Sequence, residues 1–145
     1  MKRLSFVAIL SVAFLTACAG KGAPATPAAS SQPATVSVPG GSYTNVPATQ
    51  LKALLDKKDF TFVNVHIPFE GEIAKTDAFV PYNDIEKNLD KLPADKNAKI
   101  VLYCRSGRMS TLAAETLVRL GYTNVWNMEG GMVAWEMLGL PLKTK

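Results

Sequence analysis

The chain reads as α/β, a central parallel sheet of about five strands with helices on both faces. Three observations predict it. Short β-branched or apolar runs alternate with stretches of helical spacing. The strongest run, Lys99-Ile100-Val101-Leu102-Tyr103, is almost unbroken in its apolar character, which suits a parallel strand covered on both faces. The third is charge: residues 42–145 hold 25 charged side chains, about a quarter of that segment and normal for a soluble domain, whereas residues 1–41 carry only Lys2, Arg3 and Lys21.

Taken in order, Met1-Lys2-Arg3 leads into the apolar run Leu4–Leu15, too short for a permanent membrane span but right for a secretory signal. The run closes on Leu15-Thr16-Ala17-Cys18, which resembles the lipobox of bacterial lipoproteins. That resemblance implies a signal peptide over residues 1–17 and a lipidated Cys18 at the start of the mature chain. The alternative is an ordinary signal cut near Ala17 or Ala19. Ala19 after the Cys, rather than Asp, implies the outer membrane if the host is Gram-negative. The expected location is the cell envelope, on its periplasmic or extracellular face, with the membrane reached through the lipid anchor. Residues 19–41 are rich in Ala, Pro, Ser and Gly with one charge. Residues 18–41 are therefore expected to be the lipidated Cys and a tether without secondary structure, reaching on the order of 25–70 Å.

Residues 42–145 are expected to fold. Tyr43–Val46 predicts a short strand stopped by Pro47, and Thr49–Lys57 a helix with Leu51, Leu54 and Leu55 on one face. Phe60–Val65 is a β-rich run, Ala78-Phe79-Val80 a second, and Asp84–Leu92 a helix ended by Pro93. After the Lys99–Tyr103 strand and a polar loop, Thr111–Leu120 predicts a helix whose apolar positions include Leu112, Leu117 and Leu120, stopped by Gly121. Asn124–Asn127 is a last strand, and Met132–Leu138 a short helix ended by Gly139 and Pro141. Trp126, Trp135, Phe62 and Phe79 are assigned to the core. Asp84, Glu86 and Asp90 are read as a solvated helix face, and Lys143 and Lys145 as a frayed tail.

Composition excludes several classes. One His and two Cys make a zinc site a poor reading, because structural sites want four N/S ligands, and they are too few for a disulfide scaffold. The formal charge of +4 falls to +2 without the first 17 residues, and no basic stripe interleaved with aromatics marks a nucleic-acid surface. No nucleic-acid partner and no metal or organic cofactor are expected.

In open α/β sheets ligands bind beyond the carboxyl ends of the strands. Cys104 stands there, followed by Arg105-Ser106-Gly107-Arg108-Met109-Ser110 and a helix. A short loop with a Gly can curl its N–H groups around one point, and the helix adds its positive end, so the pocket suits an anion. Such surroundings favour the thiolate, the nucleophilic form of cysteine.

The run Val101–Ser110 resembles the active-site loop of rhodanese-domain sulfurtransferases. The likeness continues through Val125-Trp126-Asn127-Met128-Glu129-Gly130-Gly131-Met132-Val133-Ala134-Trp135 and Gly139-Leu140-Pro141. Phe62–Val65 and Gly71-Glu72-Ile73 occupy the places of the family's earlier motifs. The resemblance covers residues 42–145. It implies a persulfide cycle in which Cys104 takes a sulfane sulfur from a thiosulfate- or polysulfide-type donor and passes it to cyanide or a thiol. Arg105 and Arg108 would draw in the small anionic donor and stabilise departing sulfite, and Ser106 and Ser110 would cap the helix or offer hydroxyl donors. An exposed reactive thiol in an oxidising compartment further implies a periplasmic sulfur-relay or redox partner.

The sequence departs from the family at three places. Met109 replaces the second Arg of Cys-Arg-x-Gly-x-Arg-Ser, with Arg108 one place earlier; Asn64-Val65-His66 replaces Asp-x-Arg; and Gly71-Glu72-Ile73 replaces Gly-His-Ile. His66 is thereby a candidate acid/base at the pocket rim. Rival chemistries fit less well. A thiol phosphatase needs Cys-x5-Arg, and position 110 is Ser; a thioredoxin-like enzyme needs a second Cys three residues on. Two alternatives of another class stay open: a sulfane-sulfur carrier or sensing module without turnover, and a pseudoenzyme that binds a partner.

Overall fold

A computed structural model describes residues 32–144. The signal-peptide reading, the lipidation of Cys18 and the first part of the expected tether fall outside the described residues. The sheet has six strands: β1 (Ala34–Val38), β2 (Gly41–Val46), β3 (Thr61–Asn64), β4 (Ala78–Phe79), β5 (Ile100–Tyr103) and β6 (Val125–Met128). Their order is β1-β2-β6-β5-β3-β4. The five from β2 to β4 run parallel, as expected, and β1 adds an antiparallel edge.

That edge corrects the tether. Residues 34–41, expected to be unstructured, form a hairpin with β2 in which Val36 faces Tyr43 and Val38 faces Gly41. The physical cause is local. Thr35, Val36 and Val38 are β-branched, and Pro39-Gly40 supplies a turn, with Gly40 at φ +94° where a side chain would be strained. Averaged over an Ala/Pro/Ser-rich window, that signal disappears.

Helix α1 (Ala48–Asp56) and helix α3 (Gly131–Met137) lie on one face, and α2 (Arg108–Arg119) with a 3-10 helix (Ile85–Lys91) on the other. Strand alternation sorts the cores. Phe62, Val101, Tyr103 and Met128 join Leu51, Leu55, Met132 and Trp135 on the α1/α3 side. Val63, Val65, Leu102 and Cys104 join Ala113, Ala114 and Leu117 on the α2 side.

Four further expectations shift. Asp84–Leu92 gives a 3-10 segment broken at Asn88, whose amide donates to the Asp84 carbonyl and competes with regular helix. Helix α2 begins at Arg108, three residues before the expected start, because Gly107 at φ +98° turns the chain directly into it. Leu112 faces solvent on that helix rather than the core. Lys143 is no frayed end: its N–H and carbonyl pair with those of Glu72 at 2.7 and 2.9 Å, fixing the C-terminal segment beside the exit of β3. Phe62 and Trp135 are buried; Trp126 is half-buried under Lys99, and Phe79 is half-buried with its ring edge-on to Phe69.

Candidate active site

The carboxyl ends of β3 and β5 bring three segments together: His66 to Gly71, Cys104 to Gly107, and the start of α3. Cys104 follows the central strand directly, its side chain on the α2 side of the sheet. Gly131 at φ +53° lets α3 start against the backbone of Cys104 and Arg105. Met132 and Val133 donate their N–H groups to the carbonyls of Cys104 and Arg105 at 2.9 and 3.0 Å. A Cβ on Gly131 would lie 2.2 Å from the Cys104 carbonyl oxygen, so this approach is open only to glycine. The Gly-Gly pair before Met132 therefore serves the Cys loop from outside it.

Around the sulfur, the Gly107 N–H points at Cys104 Sγ over 3.1 Å. The Ser110 hydroxyl lies 3.5 Å from the same atom and also reaches the Gly107 carbonyl at 3.0 Å. Arg108, Met109 and Ser110 form the first turn of α2, whose N–H groups have no acceptor within the helix. These donors and the helix end surround the place where negative charge on a transferred sulfur would sit.

The structure brings Cys104, Gly107 and Ser110 together and separates the other predicted residues. Cys104 is buried, 1% exposed, not an open thiol, because its side chain joins the α2-side core. Neither serine caps α2; the N-cap is Gly107, Ser106 faces solvent and Ser110 sits inside the helix. Met109 packs against the α2-side core, which explains a side chain without charge there. Arg108 is exposed on the first turn.

Arg105 does not stand over the sulfur as a free cation. Its Nη1 is 2.7 Å from Glu136 of α3 and its Nε 3.4 Å from Glu70. His66, 7% exposed, puts Nε2 at 3.5 Å from the other oxygen of Glu70. That is ion-pair range, yet neither ring nitrogen makes a hydrogen bond. Asn64 is fully buried and structural: its Oδ1 accepts from the His66 N–H at 3.0 Å while its Nδ2 donates to the Gly71 carbonyl at 2.9 Å. An ionised Asp could accept but not donate, so this loop requires the amide. Glu70 and Glu136 are the site residues that sequence reasoning missed. Glu70 stands four residues after His66 and Glu136 directly follows Trp135, but only the approach of α3 to the exit of β3 makes them neighbours.

Residues 47–138 match the rhodanese-like domain family. The chain belongs to that family. A sulfurtransferase of Allochromatium vinosum is 37% identical over 93 residues, which are 61% of this chain and 83% of that protein. A tRNA uridine(34) hydroxylase of Erwinia tasmaniensis is 30% identical over 115 residues; the match spans 72% of this chain but only 32% of the hydroxylase. Among solved structures, the polysulfide-sulfur transferase homodimer of Wolinella succinogenes superposes with a TM-score of 0.58 at 26% identity, over 70% of this chain and 78% of that one. These likenesses support sulfur transfer as the general chemistry of this rhodanese-like domain.

Proposed function

We propose that the protein is a sulfurtransferase that carries sulfane sulfur as a persulfide on Cys104. The observation that carries this reading is the pair of donors aimed at Sγ from Gly107 and Ser110, at the strand end where the first turn of α2 begins. The Cys104 thiolate attacks the outer sulfur of a donor, the donor's S–S bond breaks, and the leaving group departs with the bonding electrons. A thiophilic acceptor, a thiol or cyanide, then removes the outer sulfur and restores the thiolate. Gly107 N–H, the Ser110 hydroxyl and the helix end hold the charge on sulfur throughout.

Burial of Cys104 favours a second reading, a carrier that holds sulfur without turnover. In both readings the domain sits at the cell envelope, tethered through a lipidated Cys18, where a sulfur-relay or redox partner serves it.

Intact mass of the wild type and Cys104→Ser, after thiosulfate or polysulfide, tests these together. One added sulfur atom on the wild type only, with thiocyanate forming on addition of cyanide, is the expected result. A stable persulfide without thiocyanate leaves the carrier. No sulfur uptake from either donor overturns both. The same spectrum reads the N-terminus: a chain starting at an acylated Cys18 carries the tether, and an unacylated chain cut elsewhere removes it.

A further inference from the structure

Around the mouth of the Cys104 pocket the charges are arranged against the simplest donor. Thiosulfate is a small dianion, and Arg105 is the residue expected to attract it. Its guanidinium is already held by Glu136 at 2.7 Å and Glu70 at 3.4 Å, carboxylates from two different segments. With the exposed Arg108 the local sum is two positive against two negative, and the negative pair stands on the α3 and β3 sides of Cys104. Glu70 and Glu136 are each nearly half exposed, 46% and 44%, so their remaining lone pairs face an incoming molecule. Behind Glu70 lies the buried His66, with both ring nitrogens free of hydrogen bonds and Nε2 turned to the carboxylate. Three residues before Glu136 on the same face of α3, Val133 is 39% exposed, and its N–H is bonded to the Arg105 carbonyl. The rim thus sets two carboxylates against its two guanidinium groups, with an exposed apolar side chain beside them.

We propose that Glu70 and Glu136 are specificity-determining residues that select sulfane donors whose leaving group carries an ammonium and a short hydrocarbon, and turn away small dianions. This rests on the sulfurtransferase reading. Glu70 and Glu136 receive the ammonium, and Val133 the hydrocarbon. The reaction needs no added oxidant or reductant. With an organic thiosulfonate, the Cys104 thiolate bonds to the terminal sulfur, the S–S bond breaks, and sulfinate leaves with the electron pair, so one thiolate and one thiosulfonate give one persulfide anion and one sulfinate.

A charge series that breaks the same bond tests it: thiosulfate, methanethiosulfonate and 2-aminoethanethiosulfonate, a dianion, a monoanion and a zwitterion. The full chain and its Glu70→Gln/Glu136→Gln form are compared by the rate of sulfur addition to Cys104, at low and high salt. The double variant is expected to raise the thiosulfate rate about tenfold and to lower the zwitterion rate by a few-fold, with salt narrowing the wild-type differences. Equal donor ratios in the two proteins, with persulfide formed, overturn the selectivity and leave the sulfurtransferase standing. No persulfide from any of the three, nor from polysulfide, overturns both.

Discussion

At the scale of single residues, Tyr103 shows how one side chain joins the site to the scaffold. Its ring packs on Phe62 with centroids 4.6 Å apart, and its hydroxyl accepts from the Ile73 N–H at 3.0 Å and meets the Thr76 hydroxyl at 2.7 Å. It thereby fixes the segment beyond Gly71 one residue before Cys104. Burial pushes its phenol up from 10.0 to about 12; the hydrogen bonds from Thr76 and Ile73 work against that, and the charge of Glu72 with it. The folded value lies above the unfolded one, so between them the unfolded chain holds fewer protons. Stability is then complete below the unfolded pKa and is lost as pH rises toward about 12, by on the order of 2–3 kcal/mol. Urea titrations across that window check it, and Tyr103→Phe lessens the slope, leaving the part from the raised Tyr43 phenol, while costing about 1–2 kcal/mol at neutral pH through the orphaned Ile73 N–H. Cys104 and its loop were legible from residue types alone. The acid pair around Arg105 was not, because Glu70 and Glu136 lie far apart in sequence and meet only in three dimensions.

Among the elements, α3 braces the backbone of the Cys loop. Its first residue accepts no side chain, since a Cβ on Gly131 would stand 2.2 Å from the Cys104 oxygen and 2.9 Å from the Arg105 carbonyl carbon. Gly131→Ala is expected to cost about 3 kcal/mol or more, by clash and by strain at φ +53°. Gly121→Ala, at φ +86° with nothing within 4 Å, loses about 1 kcal/mol. Urea midpoints of the two variants check the contrast, and equal losses would mean that conformational strain alone, not the contact with the Cys loop, sets the cost. Strands and helices from residue 43 onward were readable by periodicity. The early start of α2 was not, because Arg108-Met109-Ser110 reads as loop chemistry while Gly107 turns the chain straight into helix.

Over the whole molecule, the hairpin is the largest difference from expectation. β1 half-buries Val36 and Val38 against the α2-side core and covers the outer edge of β2. A chain beginning at residue 32 is expected to keep full stability, and one beginning at residue 41 to lose about 2 kcal/mol and gain an edge prone to pairing with another copy. Urea denaturation and sedimentation of the two truncations check this; equal midpoints would make the hairpin a passive extension. Composition placed the parallel sheet but blurred its first strand, because a five-residue signal sat inside a low-charge stretch. The strand order has a consequence in time. β2, near the start of the chain, pairs with β6, the last strand, and Asn127 reaches Asn45 across 82 residues at 2.9 Å. During synthesis the sheet stays open along that seam until residue 128 has emerged, a long wait for a contact of such separation. Met132 and Val133 come later still, so the nascent chain carries the Cys104 and Arg105 carbonyls without the two N–H groups that finally hold them.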